Sequence, residues 1–331
     1  MTKVITCTGY GGTGSSVVSD LLKEFDEVNS FGDFEFRFLQ DPRGIKSLEF
    51  GIYHNNDRLI SSAYIQDFVN YVNYLSKSKV NGYENYFDGK FKSYSLEYVN
   101  ELVDVTWKGF WHNDIIKANF FQKTIYYTER AVQKYLLRKK EGGAFFYAKL
   151  FSKNMYYSSK KAEFLPITKK YLDRLVSVSN KKMSKYLVFD QLIPAGSADE
   201  YIKYFNDIKV VIVDRDPVDL YLLNKVYWNE SWIPTGSVDT YIEWYKSLRK
   251  NRQVSENVFY VQFEDFIYKY DMTVSSLLGF VEIDKKNHLN KKKFFDPSVS
   301  ISNTHLESKH KVYLEEIRLI KESLSEYCYK F

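Results

Sequence analysis

Lys3-Val4-Ile5-Thr6-Cys7-Thr8 runs into Gly9-Tyr10-Gly11-Gly12-Thr13-Gly14-Ser15-Ser16 and then into Val17-Val18-Ser19-Asp20-Leu21-Leu22-Lys23-Glu24-Phe25. The first stretch reads as a buried strand, and the glycines end it before a helix begins near Ser16. Val17, Val18, Leu21, Leu22 and Phe25 recur at helical spacing and give that helix one apolar face. In a strand, glycine loop and helix of this kind, successive backbone N–H groups and the helix start converge on phosphate oxygens. Glycine permits the sharp turn and the close approach of backbone to ligand.

Outward from this unit, residues 28–31 read as a second short strand, broken by Gly32 just before Asp33-Phe34-Glu35-Phe36-Arg37. From about 42 to 185 strand signals fade and helical stretches follow at 60–75, 95–103, 124–137 and 167–178, with one further strand conceivable over 144–151. Alternation resumes with the strand Tyr186-Leu187-Val188-Phe189-Asp190 and a helix whose start carries Ser197 and Glu200 as a capping box. Lys209-Val210-Val211-Ile212-Val213 is apolar enough for the centre of a parallel sheet. Helices over 218–228 and 238–249, a strand over 258–263, a helix through Leu278 and a last helix over 311–327 complete the chain. The expected fold is α/β: a mostly parallel, P-loop-like sheet flanked by helices, with residues 1–41 and 186–331 as nucleotide-binding core and 42–185 as a large, mainly helical insertion.

Composition narrows the function. With 331 residues, 44% hydrophobic and 27% charged, the chain can bury a sizeable core, and its mean hydropathy is −0.40. No stretch approaches the roughly 18 apolar residues of a membrane span. The N-terminus lacks the apolar core of a secretory signal, so a cytoplasmic location is expected. Cys7 and Cys328 sit at opposite ends, with Cys7 a buried strand residue, which argues against a metal cluster or disulfide framework. A net charge of +5 is too mild for a nucleic-acid protein, and 29 Tyr and 25 Phe are spread along the chain rather than interleaved with Arg.

Two loops carry the chemistry. In the first, a nucleotide triphosphatase would place Lys after the last glycine, where this chain has Ser15, so a loop that grips a phosphate it does not transfer fits better. In the second, Asp214-Arg215-Asp216-Pro217-Val218-Asp219 follows the apolar strand to the carboxyl edge of the sheet, where α/β proteins bind ligands. Arg215 offers a planar fork of donors to a phosphate, or else pairs with Asp216 or Asp219.

Together the loops resemble the sulfotransferase superfamily, whose members use 3′-phosphoadenosine-5′-phosphosulfate as sulfuryl donor. Gly12-Thr13-Gly14-Ser15-Ser16 looks like its 5′-phosphosulfate loop, and the run from Val210 through Arg215 to Asp219 looks like its 3′-phosphate segment. Tyr260-Val261-Gln262-Phe263-Glu264-Asp265-Phe266 is similar to a later strand-plus-Glu-Asp element, and Leu187 through Pro194 to the strand before the 3′-phosphate segment of bacterial and carbohydrate-directed members. The likeness covers residues 1–37 and 186–280. It implies cofactor contacts at Gly11, Gly12, Thr13, Gly14, Ser15, Ser16 and Arg215.

Departures accompany it. The family's loop cation aligns with Gly12, leaving Arg37 and Lys225 as substitutes, and its helix serine aligns with Leu223, beside Asn224 as hydrogen-bond donor. For the basic loop closing over the 3′-phosphate, Lys291 to Lys293 and Lys309 are the candidates. By the same resemblance the catalytic base is a Glu after the second strand: Glu35 first, Asp33 next, with Arg37 beside them and Asp190 able to orient the acceptor. No metal is expected, and of five histidines only His112, in an aromatic stretch, competes. Sugar rings stack on Tyr and Trp, so the aromatic insertion suggests a carbohydrate or other hydroxylated acceptor. The alternatives are a P-loop small-molecule kinase and a non-catalytic nucleotide-binding relative.

Overall fold

The structure, a computed structural model, describes residues 2–77, 82–136, 152–252 and 254–331, the side chains of His112 and Lys117 excepted. Period-two alternation decides the architecture. In β1 (Lys3–Gly9) Val4 faces one apolar cluster and Ile5 and Cys7 the other; β5 (Tyr186–Asp190) splits Leu187 and Phe189 from Tyr186 and Val188 in the same way. β6 (Ile208–Asp214) and β7 (Val258–Gln262) repeat the split. Strands apolar on both faces must be covered on both, which is the condition of a parallel sheet between helices.

The strand order is β2-β5-β1-β6-β7, with β2 spanning Val28–Glu35, and every pairing is parallel. On one face pack α1 (Ser16–Leu22) and the helix Tyr270–Val281; on the other, the helices Arg58–Lys77, Phe91–Leu102 and Phe164–Ser179 share one core with the sheet. A third cluster joins the helices Pro217–Leu222, Val238–Arg249 and Leu314–Ser323. The first strand lies at the centre, so its glycine loop emerges at the middle of the carboxyl edge.

Several elements differ from expectation. The segment 42–185 also holds an antiparallel pair, β3 (Val105–Gly109) with β4 (Lys153–Tyr157), while residues 144–151 lie outside the described residues. Ser197 does not cap a helix: Ala195–Ser197 is a single tight turn ahead of Asp199–Ile202. The helix expected over 218–228 is α-helical only to Leu222 and then widens into a π turn, Leu223–Trp228, closed by the Asn229 N–H on the Asn224 carbonyl. The last helix is shorter, Leu314–Ser323. No helix among the described residues is long and apolar enough to cross a membrane.

Candidate functional site

Gly11, Gly12 and Gly14 hold the loop in backbone conformations with φ of +95°, +67° and +85°, where a side chain is strained. Space forbids one as well: a Cβ on Gly14 would lie 2.7 Å from the Phe263 ring, and one on Gly11 2.3 Å from Trp232. Among the described residues, the N–H groups of residues 12–15 meet no protein acceptor, and the buried Thr13 hydroxyl also lacks a partner. The Ser15 hydroxyl accepts from the Gln191 amide at 3.0 Å, and the other end of that amide accepts from Thr8 at 2.9 Å. The loop is thus braced from its flank, leaving a floor of free N–H donors.

Arg215 stands beside this floor, 3% exposed. Its position begins at the end of β6, where Asp214 is held by Arg249 through three contacts of 2.6 to 3.2 Å and accepts the Arg215 N–H at 2.8 Å. The Tyr245 hydroxyl donates to the Arg215 carbonyl at 2.7 Å. The expected rivals for the guanidinium are engaged elsewhere: Asp216 accepts from the N–H groups of Val218, Asp219 and Tyr329, and Asp219 from those of His305 and Leu306. Among the described residues Arg215 donates to the carbonyls of Gly12 and Asn303 and lies over the rings of Phe263, at 4.2 Å, and Trp228, at 5.9 Å, and its Nε is buried without a partner. Burial lowers its pKa. The charges of Glu264, Asp219 and Asp216 offset part of that burial, yet none of the three is hydrogen-bonded to the guanidinium, and a bound anion would complete its pairing.

Above the loop lies a cavity of about 440 Å³ bordered by residues 11–16, Arg215, Asp20, Asp33, Glu35 and Asp190, so the structure brings most of the anticipated site together. Glu35 is on β2 itself, because the strand resumes after a break at residues 31–34 and pairs Glu35 with Asp190. Asp190 is buried, accepts from the Cys7 thiol at 3.2 Å, and is pushed up to about 7, chiefly by burial and then by the charges of Glu35 and Asp33. Cys7 is raised by the same burial. Arg37 turns from this cavity toward Asp41, at 2.8 Å, and Glu35, at 3.8 Å.

Other candidates stand apart. Asn224 is not at the cavity: its amide donates to Glu230, Ile233 and Thr235 and accepts from the Glu230 N–H, which knits the π turn to the loop that follows. Lys225 donates to the Thr235 carbonyl and does not fill the place of the missing loop cation, while Lys291 faces Asp271, Lys309 bonds the Ser302 carbonyl, and none of residues 291–293 and 309, the candidates for the closing basic loop, borders the cavity. The side chain of His112 lies outside the described residues. Sequence reasoning missed Gln191, Trp228, Trp232 and Phe263. Gln191 had a signal in its place directly after a strand end, whereas nothing local marks three aromatics that meet the loop only through the fold. A smaller cavity of about 350 Å³ takes Tyr71, Tyr83 and Tyr86 from segment 42–185 and shares Asp33 and Glu35 with the first.

No family model matches the chain, and no curated protein matches it. Among solved structures it is similar to a sulfotransferase domain of the Synechococcus PCC 7002 olefin synthase, at 11% identity and a TM-score of 0.40, over 89% of this chain and 78% of that one. It is likewise similar to a sulfotransferase domain from the curacin biosynthetic pathway, at 11% identity and a TM-score of 0.39, over 90% and 80%. Both likenesses are distant, and the chemistry of the site rests on its own residues.

Proposed function

We propose that the chain is a sulfotransferase that moves a sulfuryl group from 3′-phosphoadenosine-5′-phosphosulfate to the hydroxyl of a small acceptor, a carbohydrate by preference. The observation that carries this reading is Arg215, a buried guanidinium with an unpartnered Nε beside four free N–H groups. Such a pair of anion sites suits a nucleotide with phosphates at both ends. No lysine borders the cavity among the described residues, which favours a held phosphate over a transferred one.

In the proposed reaction the acceptor oxygen bonds to sulfur, the bond from sulfur to the bridging phosphate oxygen breaks, and adenosine-3′,5′-bisphosphate leaves with the electron pair. Glu35 takes the acceptor proton, and the loop N–H groups and Arg215 bind the phosphates. Asp20, Asp33 and Asp190 oppose bound anions, and the raised pKa values of Asp190 and Asp20 soften that opposition.

Calorimetric titration with adenosine-3′,5′-bisphosphate tests the reading. Binding without magnesium is expected, weakened about a hundredfold or more in Arg215→Ala, since a lost buried charge pair costs roughly 3 kcal/mol or more. Magnesium-dependent ATP binding with no response to the bisphosphate would overturn it in favour of a phosphotransferase.

A further inference from the structure

On the far side of the glycine loop lies a second, larger cavity of about 670 Å³, which shares Gly11, Gly12, Glu35 and Gln191 with the first. Its chemistry is different. Among the described residues the only charged groups on its wall are Glu35 and Arg37, which face each other and cancel. The rest is apolar or neutral: Trp232, Leu248, Pro194 and the small residues Ala195 and Gly196. Trp232 is 52% exposed, its ring packed against Gly11 at one side. Tyr10, 7% exposed, borders the same cavity, and its buried hydroxyl has no hydrogen-bond partner.

Resting on the proposed sulfuryl transfer, we infer that this cavity holds the acceptor, and that the acceptor is a neutral, hydroxyl-bearing ring compound: its face lies on Trp232 and one hydroxyl reaches Glu35 where the two cavities join. A charge-balanced wall rejects an anionic acceptor, because a carboxylate there would lose its hydration and gain no net countercharge. Aromatic and apolar walls with a few polar groups suit a ring with hydroxyls at its rim, and the volume is that of ordinary small-molecule sites. Among the described residues, segment 42–185 contributes nothing to this wall; residues 194–196, 232 and 248 build it with the glycine loop.

A glycoside and a simple phenol share this chemistry, so the test separates them. The full chain, saturated with adenosine-3′,5′-bisphosphate, is titrated with phenyl β-glucopyranoside, 4-methylphenol and phenyl β-glucuronide. Gly196→Trp fills the cavity from a position where a Cβ meets nothing closer than 3.5 Å, and Gly196 does not border the first cavity. The glucoside or the phenol is expected to bind, with the one that binds identifying the source, and Gly196→Trp to weaken it at least about tenfold with bisphosphate affinity unchanged. Trp232→Ala supplies a second variant and is expected to weaken the same probe. Binding of neither neutral probe, binding indifferent to both variants, or tighter binding of the glucuronide overturns the inference. Should the bisphosphate fail to bind while a neutral probe still responds to Gly196→Trp, the donor reading falls and the cavity assignment stands.

Discussion

Asp190 shows how one side chain sets the charge of the anion site. Its carboxyl titrates near 7, so around neutrality the cavity gains a negative charge as pH rises. Affinity for adenosine-3′,5′-bisphosphate in the wild type is expected to fall, relative to Asp190→Asn, as pH goes from 6 to 8, with a ratio approaching tenfold at the alkaline end (about 1.4 kcal/mol). Calorimetry at several pH values on both proteins checks this, and taking the ratio removes the titration of the ligand's own phosphates. A ratio independent of pH would mean that Asp190 does not titrate in this range. The residue was legible as a strand-end carboxylate. Its burial beside Cys7 and Glu35 was not, because that depends on β2 resuming after its break.

At the scale of elements, the junction from β6 into the helix Pro217–Leu222 is held by the Asp214–Arg249 pair, with side chains 2% and 0% exposed. Arg249→Met is expected to destabilise the fold by roughly 3–5 kcal/mol, because Asp214 would remain buried without a countercharge. Asp214→Asn combined with Arg249→Met should recover part of that loss, and urea unfolding of the single and double variants measures both. The apolar strand, the proline at the helix start and Arg215 were readable as a local run of residues. What freed Arg215 for a ligand was not: Asp216 and Asp219 are occupied by N–H groups of residues 305, 306 and 329, distant in sequence. β3 went unread for a related reason: at five residues its alternation of Val105 and Trp107 with Thr106 and Lys108 is too short to stand out, and its partner β4 lies 44 or more residues away.

For the whole molecule, buried carboxyls couple stability to pH. Asp190, Asp219 and Glu264 stand at about 7, 6 and 8, each raised first by burial. Groups raised above their unfolded values bind protons more tightly when folded, so their contribution favours the native state at low pH and declines as pH climbs through the raised values. Between pH 5 and 8 the ligand-free protein is expected to lose stability, by an amount on the order of several kcal/mol, followed as a falling thermal midpoint. A midpoint flat or rising across that interval would show these carboxyls ionised and solvated. The net charge of +5 gave no warning of this, because among the described residues bordering the cavity Arg215 is the only cation beside the carboxylates of Asp20, Asp33, Glu35 and Asp190.

The central place of β1 also bears on how the chain is made. Its neighbours β5 and β6 come late: Cys7 and its register partner Asp190 are 183 residues apart. At roughly 5–20 residues per second of synthesis, the strand and its glycine loop emerge about ten to forty seconds before anything they can pair with. The sheet cannot begin at its middle, and this apolar strand waits unpaired while the residues between it and β5 are made.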